Sequence, residues 1–429
     1  MLHVDKVDSL QAENVHITAS GLEKAKLYKF RLEMYHSFGT HASYCIIQSD
    51  TKGNVDLAVA KPIRGTYIEA DPMGLFLSLQ PTENVQFARK IKDDTEKPSY
   101  YALKLFDGSG SNQQLDQVIL RKHWRHPLVS RIEIRQDGLI GTLFKPPGPG
   151  PFPCILDIPG ANGAMMERPA AMMASEGFVV FVFAYFLFDS SLPPRVRDVD
   201  VEYFAKPLNF IQTLPYCSGK IGLQGLSFGG TLSTYIAIKY PGISAVVSLN
   251  GSEAFLRDGM VIKENGELIP SDTLNNELSV WINNTHVGVP SYQEFYRNLT
   301  PEKRIPWEKA RKETAYRIVA AMDDLSMCAV ETALNIHRLI KSSGGNIELD
   351  LVPGGHLFSP PYTPHDAVLY NRFAKCYMAL GGEIFTHSKS QETIWRKNVD
   401  FFKRHLGCPP MVLDWKREER VVMVLDSKL

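Results

Sequence analysis

The sequence predicts an α/β protein: a mostly parallel β-sheet covered by helices on both faces, preceded by an antiparallel β-domain. Three observations predict it. From residue 15 to about 106 apolar side chains recur at every second position; Tyr28, Phe30, Leu32 and Met34 alternate with Lys29, Arg31 and Glu33. Turn clusters such as Asp50-Thr51-Lys52-Gly53-Asn54 separate these runs. Next, residues 131–135 face residues 139–143 across Asp137-Gly138, a two-residue hairpin signal, and the Pro/Gly-rich stretch 146–153 closes this part. Beyond it the chain changes character. Short apolar runs at 154–158, 178–184, 221–224, 245–249, 316–321 and 347–352 alternate with helical segments, the pattern of parallel strands buried on both faces.

Taken in order, residues 1–125 form the β-domain and 126–407 the α/β domain. Residues 252–314 interrupt the alternation with mixed polar and aromatic sequence, including Trp281, Tyr292, Phe295, Tyr296 and Trp307, and are expected to fold over the strand ends as a cap. Residues 408–429 are a tail.

Composition narrows the function. At 44% hydrophobic and 22% charged, the 429 residues read as globular, not disordered. Lys plus Arg equals Asp plus Glu at 47 each, so no overall basic field recruits nucleic acid. Cys45, Cys154, Cys217, Cys328, Cys376 and Cys408 are widely spaced with no C-x-x-C pair, which points to reduced thiols and away from structural zinc. The N-terminus has no apolar stretch of signal-peptide length, and the most apolar run, 178–188, is too short to span a bilayer. The last three residues, Ser427-Lys428-Leu429, form the tripeptide read at a C-terminus by the peroxisomal import receptor, so a peroxisomal location is expected, with the cytoplasm as the alternative.

Chemistry concentrates at Gly225-Leu226-Ser227-Phe228-Gly229, a G-x-S-x-G between a strand-like run and the helix-like run 230–239. This context makes Ser227 the candidate nucleophile, seated on a sharp turn with the next helix aiming its N-terminus at the reacting centre. A serine hydroxyl needs a base and an orienting carboxylate, and in α/β-hydrolases they follow in the order Ser, Asp or Glu, His. Met322-Asp323-Asp324 and Pro353-Gly354-Gly355-His356, each after a predicted strand, supply that order. His356 is the candidate base, with His365 its nearest competitor. Of the two aspartates Asp324 is preferred, although either could instead cap the following helix, predicted over 326–341. The oxyanion hole calls for two backbone N–H groups: that of Phe228, and one from the loop Pro159-Gly160-Ala161-Asn162-Gly163, where Ala161 is chosen over Gly160. No phosphate-binding loop and no metal-ligand spacing occur, so hydrolysis is expected to need neither cofactor nor metal.

The chain resembles the acyl-CoA thioesterases of the α/β-hydrolase type, a family that includes the bile acid-CoA:amino acid N-acyltransferases. The resemblance rests on Gly53-Asn54-Val55-Asp56-Leu57-Ala58, Asp71-Pro72-Met73-Gly74-Leu75, Gly148-Pro149-Gly150-Pro151-Phe152-Pro153, Leu249-Asn250-Gly251-Ser252, and Gly355-His356 with Pro360-Pro361-Tyr362. It implies an N-terminal β-sandwich, an acyl-CoA substrate and the triad Ser227, Asp324 and His356. Leu325-Ser326-Met327 and Ser359 depart from the family pattern. Within the family the conjugating enzymes commonly carry Cys as nucleophile, so Ser227 favours hydrolysis over N-acyl transfer to glycine or taurine. A non-catalytic acyl-CoA-binding protein on the same scaffold is the remote alternative.

Overall fold

The computed structural model describes residues 1–91, 94–110, 113–372, 374–411 and 413–415. Period-two alternation folds the first 123 residues into two sheets that share one core. In the larger sheet Leu27–His36 pairs antiparallel with Gly39–Gln48 on one side and Ser99–Asp107 on the other. Tyr28, Phe30, Leu32 and Met34 therefore all turn inward. The smaller sheet, Leu2–Val4, Ile17–Ala19 and Val55–Asp56, adds Ile17, Ala19 and Val55 to the same core. One pair departs from the antiparallel expectation: Asp8–Leu10 runs parallel to Gln114–His123. Asp8 fixes this strand by bridging Arg121 and His123 at 2.5 and 2.8 Å, an ion-pair contact between distant segments that periodicity does not reveal.

Eight strands form the second sheet: β1 (Ser130–Gln136), β2 (Leu139–Lys145), β3 (Phe152–Ile158), β4 (Val179–Ala184), β5 (Cys217–Leu226), β6 (Ile243–Leu249), β7 (Ala315–Ala321) and β8 (Asn346–Val352). Their order is β1-β2-β4-β3-β5-β6-β7-β8. β1 and β2 are the expected hairpin, with Gln136 opposite Leu139 and positive φ at both Asp137 (54°) and Gly138 (76°). β2 joins β4 antiparallel, and all later pairs are parallel.

Helices α1 (Glu167–Ser175), α2 (Ala205–Gln212), α3 (Phe228–Lys239), α4 (Val289–Arg297), α5 (Ala329–Ser342) and α6 (Ile384–Leu406) complete the set used below. Strand side chains alternate between two cores, because both faces are covered. Cys154, Leu156 and Ile158 of β3 share one core with Leu232 and Ile236 of α3 and Ile336 of α5. Ile155 shares the other with Met173 of α1 and Phe402 of α6. α6 also reaches the N-terminal region, where Lys389 pairs with Asp71 at 2.7 Å.

The segment 252–314 is more regular than its sequence suggests. Glu253 roots it: the carboxylate is buried against Arg304 at 3.1 Å, and its carbonyl accepts from Trp307 Nε1 at 3.0 Å. Val280–Ile282 and Thr285–Val287 form a hairpin that joins Cys376–Ala379 and Val368–Asn371 in a four-stranded sheet. Strands of three or four residues are too short to leave a readable period, so this sheet has no sequence signature.

Because Phe402 is fully buried between α6 and the parallel sheet, Phe402→Ala is expected to lower stability by about 3–5 kcal/mol. Chemical denaturation of the two proteins checks this.

Candidate active site

The sequence Gly-x-Ser-x-Gly sets the geometry at the end of β5. Ser227 sits at φ 58° and ψ −125°, a conformation that L-residues avoid and that costs on the order of 1–3 kcal/mol. Its N–H donates to the Leu249 carbonyl at 2.8 Å, and its own carbonyl accepts from Thr231 N–H at 3.1 Å, which holds the turn. The flanking glycines are obligatory for a steric reason. A Cβ on Gly225 would lie 2.3 Å from the Gly229 carbonyl carbon, and one on Gly229 would lie 2.1 Å from the Ile158 oxygen. With both absent the strand turns straight into α3 and lifts the Ser227 side chain to a half-buried position above the sheet.

His356 and Asp324 arrive from the ends of β8 and β7. Asp324 Oδ2 lies 2.7 Å from His356 Nδ1, and His356 Nε2 lies 2.9 Å from Ser227 Oγ. An ionised carboxylate can only accept, so Nδ1 carries the ring proton and Nε2 is left to accept from the serine hydroxyl. Both His356 and Asp324 are buried. His365, the competing histidine, does not enter this series; its Nε2 donates to the Gly381 carbonyl at 2.9 Å.

The two aspartates divide two tasks. Asp323 Oδ2 accepts from Gly354 N–H at 3.1 Å and braces the loop before His356. Asp324 turns one oxygen to His356 and offers Oδ1 to the N–H groups of Ser326 and Met327 at 2.8 and 3.0 Å. The same carboxylate thus orients the imidazole and caps a turn, which the sequence reading held as alternatives. It also corrects the helix predicted over 326–341: with two N–H groups drawn to a side chain, α5 starts at Ala329.

Phe228 is the first residue of α3, so its N–H has no partner within the helix. In the loop after β3 the Tyr185 hydroxyl donates to the Pro159 carbonyl at 2.8 Å, with the Gly160 carbonyl 3.4 Å away. A planar trans peptide points its N–H opposite to its carbonyl. The Ala161 N–H is therefore directed away from Tyr185. Below the elbow lies an apolar cavity of about 90 Å³ lined by Met173, Leu226, Leu249, Phe358 and Trp395 among others.

Two supports were not assigned a role from the sequence. Asn250, at φ 47° after β6, donates from Nδ2 to the His356 carbonyl at 2.7 Å and accepts Ala321 N–H at 2.8 Å, clamping the ends of β6, β7 and the His356 loop together. His387, fully buried in α6, accepts Gly355 N–H on Nδ1 at 3.0 Å, and its ring lies 3.8 Å from that of His365. Burial, helped by His365, holds the His387 imidazole down at about 3, and burial also lowers His365. Unfolded, both titrate near 6.5. Below that pH the unfolded chain binds more protons, so stability present above about pH 6.5 is lost as pH falls toward 3.

Residues 12–136 match the family profile "Acyl-CoA thioester hydrolase/BAAT N-terminal region", and residues 199–408 match "BAAT / Acyl-CoA thioester hydrolase C terminal". Among curated proteins, acyl-coenzyme A thioesterase 1 of Mus musculus is 31% identical, the alignment covering 86% of this chain and 87% of that protein. Peroxisomal succinyl-coenzyme A thioesterase of Mus musculus is 30% identical, with 86% and 87% covered. Bile acid-CoA:amino acid N-acyltransferase of Mus musculus is also 30% identical, with 93% and 96% covered.

From the histidine pair, His387 alone is expected to withdraw about 2 kcal/mol of stability at pH 5 relative to pH 7. Thermal melts across that range check it, and His387→Gln, which keeps an acceptor for Gly355, should flatten the dependence.

Proposed function

Because the chain belongs to the acyl-CoA thioester hydrolase/BAAT family, we propose that it hydrolyses fatty acyl-CoA to free fatty acid and CoA through an acyl-enzyme on Ser227. The observation that carries this reading is the hydrogen-bonded series Asp324, His356, Ser227, with spacings of 2.7 and 2.9 Å. Ser227 Oγ attacks the thioester carbonyl while His356 Nε2 takes its proton, and the imidazolium is stabilised by the Asp324 carboxylate. The N–H groups of Phe228 and Ala161 are assigned to the tetrahedral oxyanion. His356 then protonates the departing CoA thiolate, activates a water against the acyl-enzyme, and returns the proton to Ser227 as the acid leaves. A thioester lacks much of an ester's resonance stabilisation, so no metal or cofactor is called on. Residues 252–314 are read as the cap over the strand ends.

One observation favours a second reading. The chain is as similar to an N-acyltransferase as to thioesterases, at 30% identity over 96% of that protein. In that case an amine replaces water at the acyl-enzyme. Ser227, in place of the Cys common in conjugating enzymes, supports hydrolysis.

A peroxisomal address is part of the proposal. It rests on Ser427-Lys428-Leu429, which lies outside the described residues.

Thiol release should be followed with acyl-CoAs from acetyl to very long chain, and with branched and bile acyl-CoAs. Ser227→Ala is expected to lower kcat/KM by about 10⁴-fold or more without shifting the melting temperature; undiminished activity would remove Ser227 as nucleophile. Free acid should remain the main product when glycine or taurine is added, whereas faster formation of the conjugate would replace hydrolysis by N-acyl transfer. In cells, deleting residues 427–429 should leave activity intact and the protein cytosolic. Continued peroxisomal import would refute the address.

A further inference from the structure

Six residues after His356 the chain leaves the α/β region and enters the other core. Tyr362 is fully buried at φ 62° among the apolar residues of the N-terminal region, its ring edge-on to Phe76 at 6.1 Å. Side chains from that region bind the backbone on both sides of it. Gln11 Nε2 donates to the carbonyls of Pro361 and Tyr362 at 2.9 and 3.1 Å, and the Tyr101 hydroxyl donates to the Tyr362 carbonyl at 3.2 Å. At its outer end the Tyr362 hydroxyl reaches Glu392 of α6 at 2.7 Å and Asn14 at 2.8 Å.

Lys122 holds the segment that carries Gln11. Its amino group is fully buried, donates to the Glu13 carbonyl at 2.6 Å and Ser9 Oγ at 3.2 Å, and lies 5.3 Å from the ring centres of both Phe76 and Tyr362. Burial pulls this group down to about 7. Its hydrogen bonds are spent on residues 9–13, with Gln11 at their centre. The His356 loop is already tied to β6 by Asn250 and to α6 by His387. The Tyr362 socket is a further tether, supplied by the N-terminal region.

Resting on the acyl-enzyme reading above, we propose that the N-terminal region serves the reaction by anchoring the His356 loop, with Gln11 and Tyr362 as positioning residues that keep Nε2 in line with Ser227. Neither touches the reacting atoms. They act on the distance and angle between base and nucleophile, where displacement by about 1 Å costs on the order of 100-fold in rate.

The test uses the full-length chain with two readouts, acyl-CoA turnover and the rate at which a small fluorophosphonate labels Ser227, which requires His356 but no CoA recognition. Gln11→Ala and Tyr362→Ala are expected to lower kcat and labelling rate by about 10- to 100-fold with KM changed less than about 2-fold. Tyr362→Phe, which retains the ring and both carbonyl acceptors, should recover most of what Tyr362→Ala loses. Ile17→Ala, a cavity in the same core but in the smaller sheet, should lower the melting temperature and leave both rates intact. Lys122→Met reports on the same tether if Gln11→Ala does not fold, and should reproduce its kinetic loss. Undiminished labelling and kcat in Gln11→Ala overturn the proposal, as does an Ile17→Ala variant that loses kcat in proportion to its melting temperature. A wild-type protein that labels at Ser227 yet releases no thiol from any acyl-CoA would instead remove the thioester reading, leaving the anchoring decided by labelling alone.

Discussion

The contact on which the proposed chemistry depends is the 2.9 Å approach of His356 Nε2 to Ser227 Oγ. No local segment creates it. The two residues are 129 positions apart, and the carboxylate that fixes the tautomer is 32 positions from the histidine. What brings them together is the order β5-β6-β7-β8 with a parallel register, which delivers Ser227, Asn250, Asp324 and His356 to the same edge of the sheet. Asn250 then converts adjacency into a fixed distance by bonding both its neighbouring strand and the His356 loop.

Much of this was legible in the residues because it is locally encoded. The elbow glycines leave no alternative to a tight strand-to-helix turn, the short apolar runs mark the strands of the parallel sheet, and Asp137-Gly138 marks a turn with positive φ at two successive positions. Strand centres were therefore found while some ends moved: β5 begins at Cys217, ahead of the apolar run at 221. What was not legible depends on partners far along the chain. Lys122 sits in an alternating strand like any exposed lysine, and only the fold shows that its amino group faces inward onto carbonyls. Gln11 carries no mark at all. The start of α5 was missed for a different reason: the Asp324 carboxylate outcompetes helical hydrogen bonding for the first N–H groups, a choice that propensity does not contain.

The N-terminal region and α6 also meet outside the Tyr362 socket. Lys389 bridges Asp71 and Glu392 at 2.7 Å each, and Arg396 reaches Asn14 at 3.2 Å while pairing with Glu392 at 2.7 Å. Two regions joined through a continuous polar network and a shared buried tyrosine move as one unit more readily than two domains touching at a surface. The segment 252–314 is rooted at Glu253 and presents exposed Val280, Trp281 and Ile282 on a hairpin that pairs with Cys376–Ala379.

The span between Gln11 and Pro361, 350 positions, also sets a timetable. At roughly 5–20 residues per second on the ribosome, the N-terminal core, complete only once Lys122 is made, precedes the tyrosine that fills it by about 12–48 s. An apolar socket open for that long would invite aggregation. This one is floored by an amine and an amide, which water can solvate until Tyr362 arrives, so the polar groups that later hold the loop also keep the nascent intermediate wet.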